Sequence, residues 1–76
     1  RESSVHEKVL ETVTAFAVDY GFSVKELNFS PIQGGHGNIE FLAHLEKTNS
    51  PQNDAQTSIK EVVAQAHKEF KKNEEE

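Results

Sequence analysis

The residues best suited to chemistry lie in one short stretch near the middle of the chain. Gly34, Gly35 and Gly37 fall within four positions, and glycine lets a ligand or another backbone approach closely. Asn38 and Glu40 follow at once. Backbone N–H groups in such a loop can meet phosphate or ribose, and a carboxylate at its exit can assist a proton transfer. The same residues also suit an ordinary hairpin turn that ends in a solvent-facing strand Glu.

Metal binding is a second chemistry to weigh, because His36, Glu40 and His44 recur at intervals of four. Along a strand that rises about 3.3 Å per residue, Glu40 and His44 lie roughly 13 Å apart. Ligands of one ion lie only about 2 Å from it. No metal site is predicted, and His36 is interpreted as a solvated loop residue.

The elements that must position this stretch are predicted in the order helix, strand, strand, helix. Ser4 and Glu7 have the spacing of a capping box, and Gly21 suits a helix stop. The strands flank a short loop and should pair antiparallel. The predicted elements are a helix at about 4–20, a strand at about 22–30, a Gly-rich loop at 33–38, a strand at about 39–47, a polar linker at 48–54, a helix at about 55–71 and a solvated tail at 72–76.

Each helix carries an apolar stripe at helical spacing, and both stripes are predicted to be core, partly against a sheet outside this sequence. The stripes are Val5, Val9, Val13, Phe16, Ala17 and Tyr20, and then Ile59, Val62, Val63, Ala66 and Phe70. His6 and His67 are interpreted as helix-surface residues. The first strand mixes its parities, which predicts either a bulge near Lys25 and Glu26 or coverage of both faces.

Composition limits what this chain does alone. Only 34% of its 76 residues are hydrophobic, it has no Cys, and its net charge is −5. The charge argues against an independent grip on RNA backbone, and no apolar run is long enough to span a membrane. An isolated hairpin is marginal and its edges are unpaired, so we expect a fragment of a larger cytoplasmic protein that self-associates when isolated.

The segment Ser30 to Leu42, SPIQGGHGNIEFL, resembles a motif of the hemolysin A type (TlyA-type, FtsJ-like) ribosomal RNA 2′-O-methyltransferases. The resemblance extends over about residues 1–70. It implies an α/β fold in which the antiparallel hairpin forms the edge of a Rossmann-like S-adenosylmethionine-dependent methyltransferase sheet, with residues 1–76 as its C-terminal fragment. The full-length members also have an RNA-binding domain of S4 type.

The resemblance also implies roles for single residues. Glu40 matches the last member of a Lys-Asp-Lys-Glu catalytic tetrad, whose other members lie upstream. The substrate-binding candidates are Ser30, Gly34, Gly35, Gly37 and Asn38. The expected function is part of an rRNA (cytidine) ribose 2′-O-methyltransferase, inactive in isolation, whose full-length parent holds S-adenosylmethionine and ribosomal RNA while the fragment holds no cofactor. The alternatives are a stand-alone α+β module that binds RNA or a nucleotide and, with less support, a membrane-active hemolysin.

Overall fold

The predicted order of helix, strand, strand and helix is confirmed, and the strands are antiparallel. The structure is a computed structural model and describes residues 3–33 and 38–74. Its elements are α1 (Ser3–Asp19), β1 (Phe22–Phe29), β2 (Phe41–Lys47), a 3₁₀ turn (Gln56–Ser58) and α2 (Ile59–Glu74). The α2 backbone therefore stays helical through part of the predicted tail, and β2 begins two residues later than predicted.

The turn between α1 and β1 depends on Gly21, whose φ of 94° is accessible mainly to glycine. The N–H of Tyr20 donates to the carbonyls of Phe16 and Ala17, both at 3.1 Å, and the N–H of Gly21 donates to Val18 O at 3.0 Å. These bonds satisfy carbonyls that the end of a helix leaves open. The predicted stop at Gly21 is confirmed.

The predicted bulge in β1 is also confirmed. Val24 pairs with Leu45 and Glu26 pairs with His44, so Lys25 is the extra residue. A bulge reverses the alternation of side chains along a strand. Val24 and Leu27 are three residues apart, yet both are buried in the same core.

That core lies on one face of the hairpin, where α1 and α2 pack beside each other. It consists of Leu10, Val24, Leu27, Ala55, Ile59 and Val63, with Ala17, Val18, Phe41 and Val62 packed against it. The α2 stripe was predicted correctly: Ile59, Val63, Ala66 and Phe70 are each at most 4% exposed.

The core prediction for the α1 stripe is wrong within this chain. Its five larger members are 41–66% exposed: Val5, Val9, Val13, Phe16 and Tyr20. Leu10 and Thr14 are buried instead, on a face turned about 120° from the stripe at 100° per residue. Thr14 can enter the interior because its hydroxyl donates to Leu10 O at 2.7 Å. Helical spacing identified an apolar stripe, but this helix has two apolar faces, and only one is used here.

The linker at 48–54 is bound along β1. The Ser23 hydroxyl lies 3.0 Å from Thr48 Oγ1 and accepts from Gln52 N at 3.0 Å. Val24 N donates to Gln52 O at 3.0 Å, and Asp54 N donates to Val24 O at 2.8 Å. The segment therefore occupies the outer edge of β1 at Val24.

Candidate functional site

The two ends of the Gly-rich loop are joined at the end of the hairpin. Beyond the last strand pair, Phe29 with Phe41, the N–H of Ser30 donates to Glu40 O at 2.8 Å. The Ser30 hydroxyl accepts from Ile32 N at 3.2 Å, which folds the chain into a turn after the strand. Ser30 is half-buried, whereas the Glu40 side chain is exposed to solvent. The structure thus brings these two predicted site residues together through their backbones.

The other predicted site residues divide into two groups. Asn38 is described, is exposed and lies outside the strands, two residues before Glu40. Gly34, Gly35 and Gly37 lie outside the described residues, as does His36. Ile32 lies on the first side of the loop and is 73% exposed, a candidate apolar contact that the sequence interpretation had not singled out.

Directly below this end of the hairpin lies a cluster that we call the aromatic anchor. Its members are His6, Phe29, Phe41, His67 and Phe70. The Phe29 and Phe70 rings meet edge to face with centroids 6.1 Å apart, and the His6 and Phe41 rings do the same at 5.3 Å. Edge-to-face contacts at such distances are favourable. The last strand pair is therefore held by α2 on its β1 side and by α1 on its β2 side.

The two histidines of the anchor were interpreted as helix-surface residues, but in the structure they pair with each other between the two helices. His6 Nδ1 lies 2.7 Å from His67 Nε2, within hydrogen-bond distance, and the ring centroids are 4.9 Å apart. Both rings are half-buried. Sixty-one positions separate them in the sequence, and neither helix shows a pattern that predicts the pairing. The position of His67 one turn before the buried Phe70 is the one weak signal.

An ion pair marks the bulge. Lys25 Nζ lies 2.9 Å from the Asp54 carboxylate, with both side chains about 40% exposed. The hydrogen bond to Asp54 and the charge of that carboxylate raise the pKa of Lys25 above its ordinary value. The pair fastens the 48–54 segment to β1 at the bulge.

The described part of the chain was also searched for metal sites and for helices that could span a membrane. Residues 3–33 and 38–74 contain no group of three or more His, Cys, Asp or Glu side chains placed to share a metal ion. Over the same residues, neither helix combines the length and the apolar character needed to cross a membrane.

Several large apolar side chains are left uncovered on α1 and β2. The α1 stripe is exposed, and on β2 so are Leu42 (54%) and Leu45 (44%). Within the described ranges, β2 pairs with β1 alone, and its other edge has no strand beside it. Exposed apolar side chains beside an unpaired strand edge are typical of surfaces that another part of a protein covers.

Comparison with known proteins gives this surface a context. No family model matches the chain. A Bacillus subtilis protein named "Putative rRNA methyltransferase YqxC" is 42% identical over 74 residues, which cover 93% of this chain. Hemolysin A of Brachyspira hyodysenteriae is 41% identical over 45 residues, 59% of this chain. A solved structure titled "Putative hemolysin from Streptococcus thermophilus" covers the whole chain at 92% identity with a TM-score of 0.96.

The chain is similar to parts of proteins named hemolysins. A second solved hemolysin-family structure, from Lactococcus lactis, agrees at 45% identity and a TM-score of 0.78 over 86% of the chain. The chain spans 26% of the Bacillus protein, 19% of the Brachyspira protein, and 28% and 31% of the two solved chains. These four proteins are thus about three to five times longer than the segment that matches.

Proposed function

We propose that this chain is the C-terminal subdomain of an S-adenosylmethionine-dependent rRNA (cytidine) ribose 2′-O-methyltransferase and is inactive on its own. The observation that carries the proposal is the 42% identity, across 93% of the chain, to a protein named as an rRNA methyltransferase. The cytoplasm, where ribosomal RNA is modified, is the proposed location.

The uncovered surfaces support a place at the margin of a larger sheet. The 48–54 segment occupies β1 at Val24, so β2 presents the open edge on which further strands would add. The α1 stripe would then lie over the added strands. We propose that the hairpin forms the antiparallel edge of a Rossmann-like sheet, an arrangement common in mostly parallel sheets.

Glu40 is the proposed catalytic residue of this chain. A ribose 2′-hydroxyl attacks poorly until a base removes its proton, and a lysine serves as base only when its own proton has somewhere to go. An exposed carboxylate at the base of the loop can accept a hydrogen bond from such a lysine and fix its position. The lysine would be supplied by another segment of the parent.

The rest of the hairpin end would bind the target nucleotide. Ser30 and Asn38 flank the loop and can hydrogen-bond a ribose or phosphate, as can backbone N–H groups of Gly34, Gly35 and Gly37. S-adenosylmethionine would supply the methyl group, and we assign no residue of this chain to its binding. Ribosomal RNA is the proposed partner of the whole parent protein.

A membrane-directed function fits helix α1 less well. Helices that lie on membranes carry a basic polar face opposite the apolar one. Helix α1 has an exposed apolar stripe, but its charged residues are three acids, Glu7, Glu11 and Asp19, and one lysine, Lys8. The alternative therefore rests on the hemolysin names alone, since the charge of α1 does not support it.

The test uses a chimera in which this chain replaces the matching segment of the Streptococcus thermophilus protein. Methyl transfer from labelled S-adenosylmethionine to ribosomal RNA is measured for Glu40→Gln and for a matched control, Glu46→Gln, at the other end of β2. We expect Glu40→Gln to lower the transfer rate by about 10²–10⁴-fold with cofactor binding unchanged, and Glu46→Gln to be silent. Transfer at the parental rate by Glu40→Gln, or none by the unsubstituted chimera, refutes the proposal.

The exposed α1 stripe also predicts how the isolated chain behaves in solution. We propose that it covers the α1 stripe by self-association. A sedimentation profile that stays monomeric at high protein concentration contradicts this part of the proposal alone.

A further inference from the structure

We infer that Phe70 of α2 is a positioning residue: it holds the base of the Gly-rich loop and, through that base, the proposed catalytic residue Glu40. The loop base consists of the last strand pair, Phe29 with Phe41, and the bond from Ser30 N to Glu40 O beyond it. The inference deepens the proposed function, on which its catalytic consequence rests. The packing belongs to the fold, so it can be tested without any activity.

Phe70 is buried apart from the main core. It is only 4% exposed, yet it is not a member of the core cluster, to which Ile59 and Val63 of the same helix belong. Its ring meets the Phe29 ring edge to face, with centroids 6.1 Å apart, and Phe29 is half-buried. Phe70 therefore supports the end of the hairpin, where the loop begins.

The path from this contact to Glu40 is short. Phe29 pairs with Phe41, and the next residues along the two strands are joined because the N–H of Ser30 donates to Glu40 O at 2.8 Å. A displacement of Phe29 moves Ser30 with it and weakens that bond. The exposed Glu40 side chain starts from this backbone, so its position depends on the packing of Phe29.

The same turn of α2 also supports the β2 side of the loop base. His67 lies one turn before Phe70, and its Nε2 is 2.7 Å from Nδ1 of His6 on α1. The His6 ring meets the Phe41 ring edge to face, with centroids 5.3 Å apart. The last described side chains of α2 thus back both strands where they enter the loop.

Loss of this support should affect the loop base before it affects the main core. Protein interiors are close-packed, so removal of the Phe70 ring leaves a space into which Phe29 can shift. Segments of one protein open with different free energies, and a strand end opens more readily than the core. A misplacement of about 1 Å in a reacting group can cost on the order of 10²-fold in rate.

Two substitutions and a matched control separate positioning from general packing. Phe70→Ala removes the ring, whereas Phe70→Leu keeps an apolar side chain against Phe29. Ile59→Ala is the control, because Ile59 is 2% exposed on the same helix and belongs to the core cluster. At 1.5 Å per residue, it lies about 16 Å from Phe70 along the helix axis.

The first experiment measures amide hydrogen exchange in the 76-residue chain by NMR, at Ser30 and at Val24, whose N–H donates to Gln52 O. In Phe70→Ala we expect the Ser30 amide to exchange roughly tenfold faster or more, relative to the Val24 amide, than in the unsubstituted chain. This ratio should return most of the way in Phe70→Leu and should not rise in Ile59→Ala.

Three results of the exchange experiment overturn the inference. The ratio could be unchanged in Phe70→Ala, or it could rise equally in Ile59→Ala, which is the result expected of a purely structural role. The third is a Ser30 amide that is already unprotected in the unsubstituted chain, because its bond to Glu40 O would then not hold the loop base.

The second experiment measures methyl transfer by the chimera carrying the same substitutions, at a temperature where circular dichroism shows each protein to be folded. We expect Phe70→Ala to lower kcat on the order of tenfold or more, Phe70→Leu to restore most of it, and Ile59→Ala to leave it unchanged. Equal losses in Phe70→Ala and Ile59→Ala, or parental kcat in Phe70→Ala while Glu40→Gln abolishes transfer, refute the positioning role. If Glu40→Gln is fully active, the proposed function fails, and the exchange data still decide whether Phe70 holds the loop base.

Discussion

Truncating Phe16 to alanine should cost far less in the isolated chain than in the chimera. The side chain is 59% exposed and leans on Tyr20, with ring centroids 4.5 Å apart. If the α1 stripe docks on the rest of a methyltransferase domain, that exposed part becomes buried. The same substitution then probes two different environments.

The magnitude follows from the exposed fraction. Full burial of a Phe side chain is worth about 1.5–3 kcal/mol. With roughly two-fifths of it buried here, Phe16→Ala should cost about 1 kcal/mol in the isolated chain. A fully buried Phe→Ala typically costs about 3–5 kcal/mol once the cavity is included, so the two contexts should differ by at least about 2 kcal/mol.

Hydrogen exchange of the α1 amides, measured as opening free energies, provides one assay for both contexts. Leu10→Ala is the matched control because Leu10 is only 7% exposed in the chain itself. It should cost about 2–5 kcal/mol with or without the remainder of the protein. Equal costs for Phe16→Ala in the two contexts would show that nothing covers the stripe, and the docking argument would be refuted.

Two further predictions concern the hairpin. Gly21→Ala should destabilise the chain by about 1–2 kcal/mol. The cost comes from the φ of 94° alone, because a Cβ there meets nothing within 4 Å. Gly21→Asn should cost less stability, and equal thermal unfolding midpoints for both variants and the unsubstituted chain would contradict this. Lys25→Met should remove a small stabilisation that exists below the ordinary lysine pKa and vanishes as the pH rises through the raised pKa of Lys25. Urea titrations at pH 9 and pH 11.5 should therefore show a smaller gap between Lys25→Met and the unsubstituted chain at the higher pH, with Lys60→Met as the exposed control.

Local features of the fold could be predicted because local chemistry determines them. Gly21 ends α1 since only glycine adopts its φ readily. The parity of the apolar residues in β1 predicted either a bulge near Lys25 and Glu26 or coverage of both faces, and the structure has the bulge. The core stripe of α2 follows from its spacing. These inferences need only a few neighbouring residues.

Features that depend on distant partners could not be predicted in the same way. The apolar residues of α1 span two faces, and periodicity does not say which face meets this chain's own strands. The pairing of His6 with His67 depends on how two helices cross, and the binding of the linker to β1 depends on Ser23 and Val24 meeting residues about 30 positions later. The loop end joined by Ser30 and Glu40 was predicted as a site, but the anchor beneath it was not.

The 48–54 segment that runs beside Val24 affects how the chain can aggregate through its strand edges. An amyloid-like stack grows only if each added strand leaves a fresh margin for the next. Here a stray strand can join β2, but on the far side it must first displace bonds from Gln52 and Asp54. Unwanted association should therefore tend to stop at pairs of molecules rather than continue into fibrils.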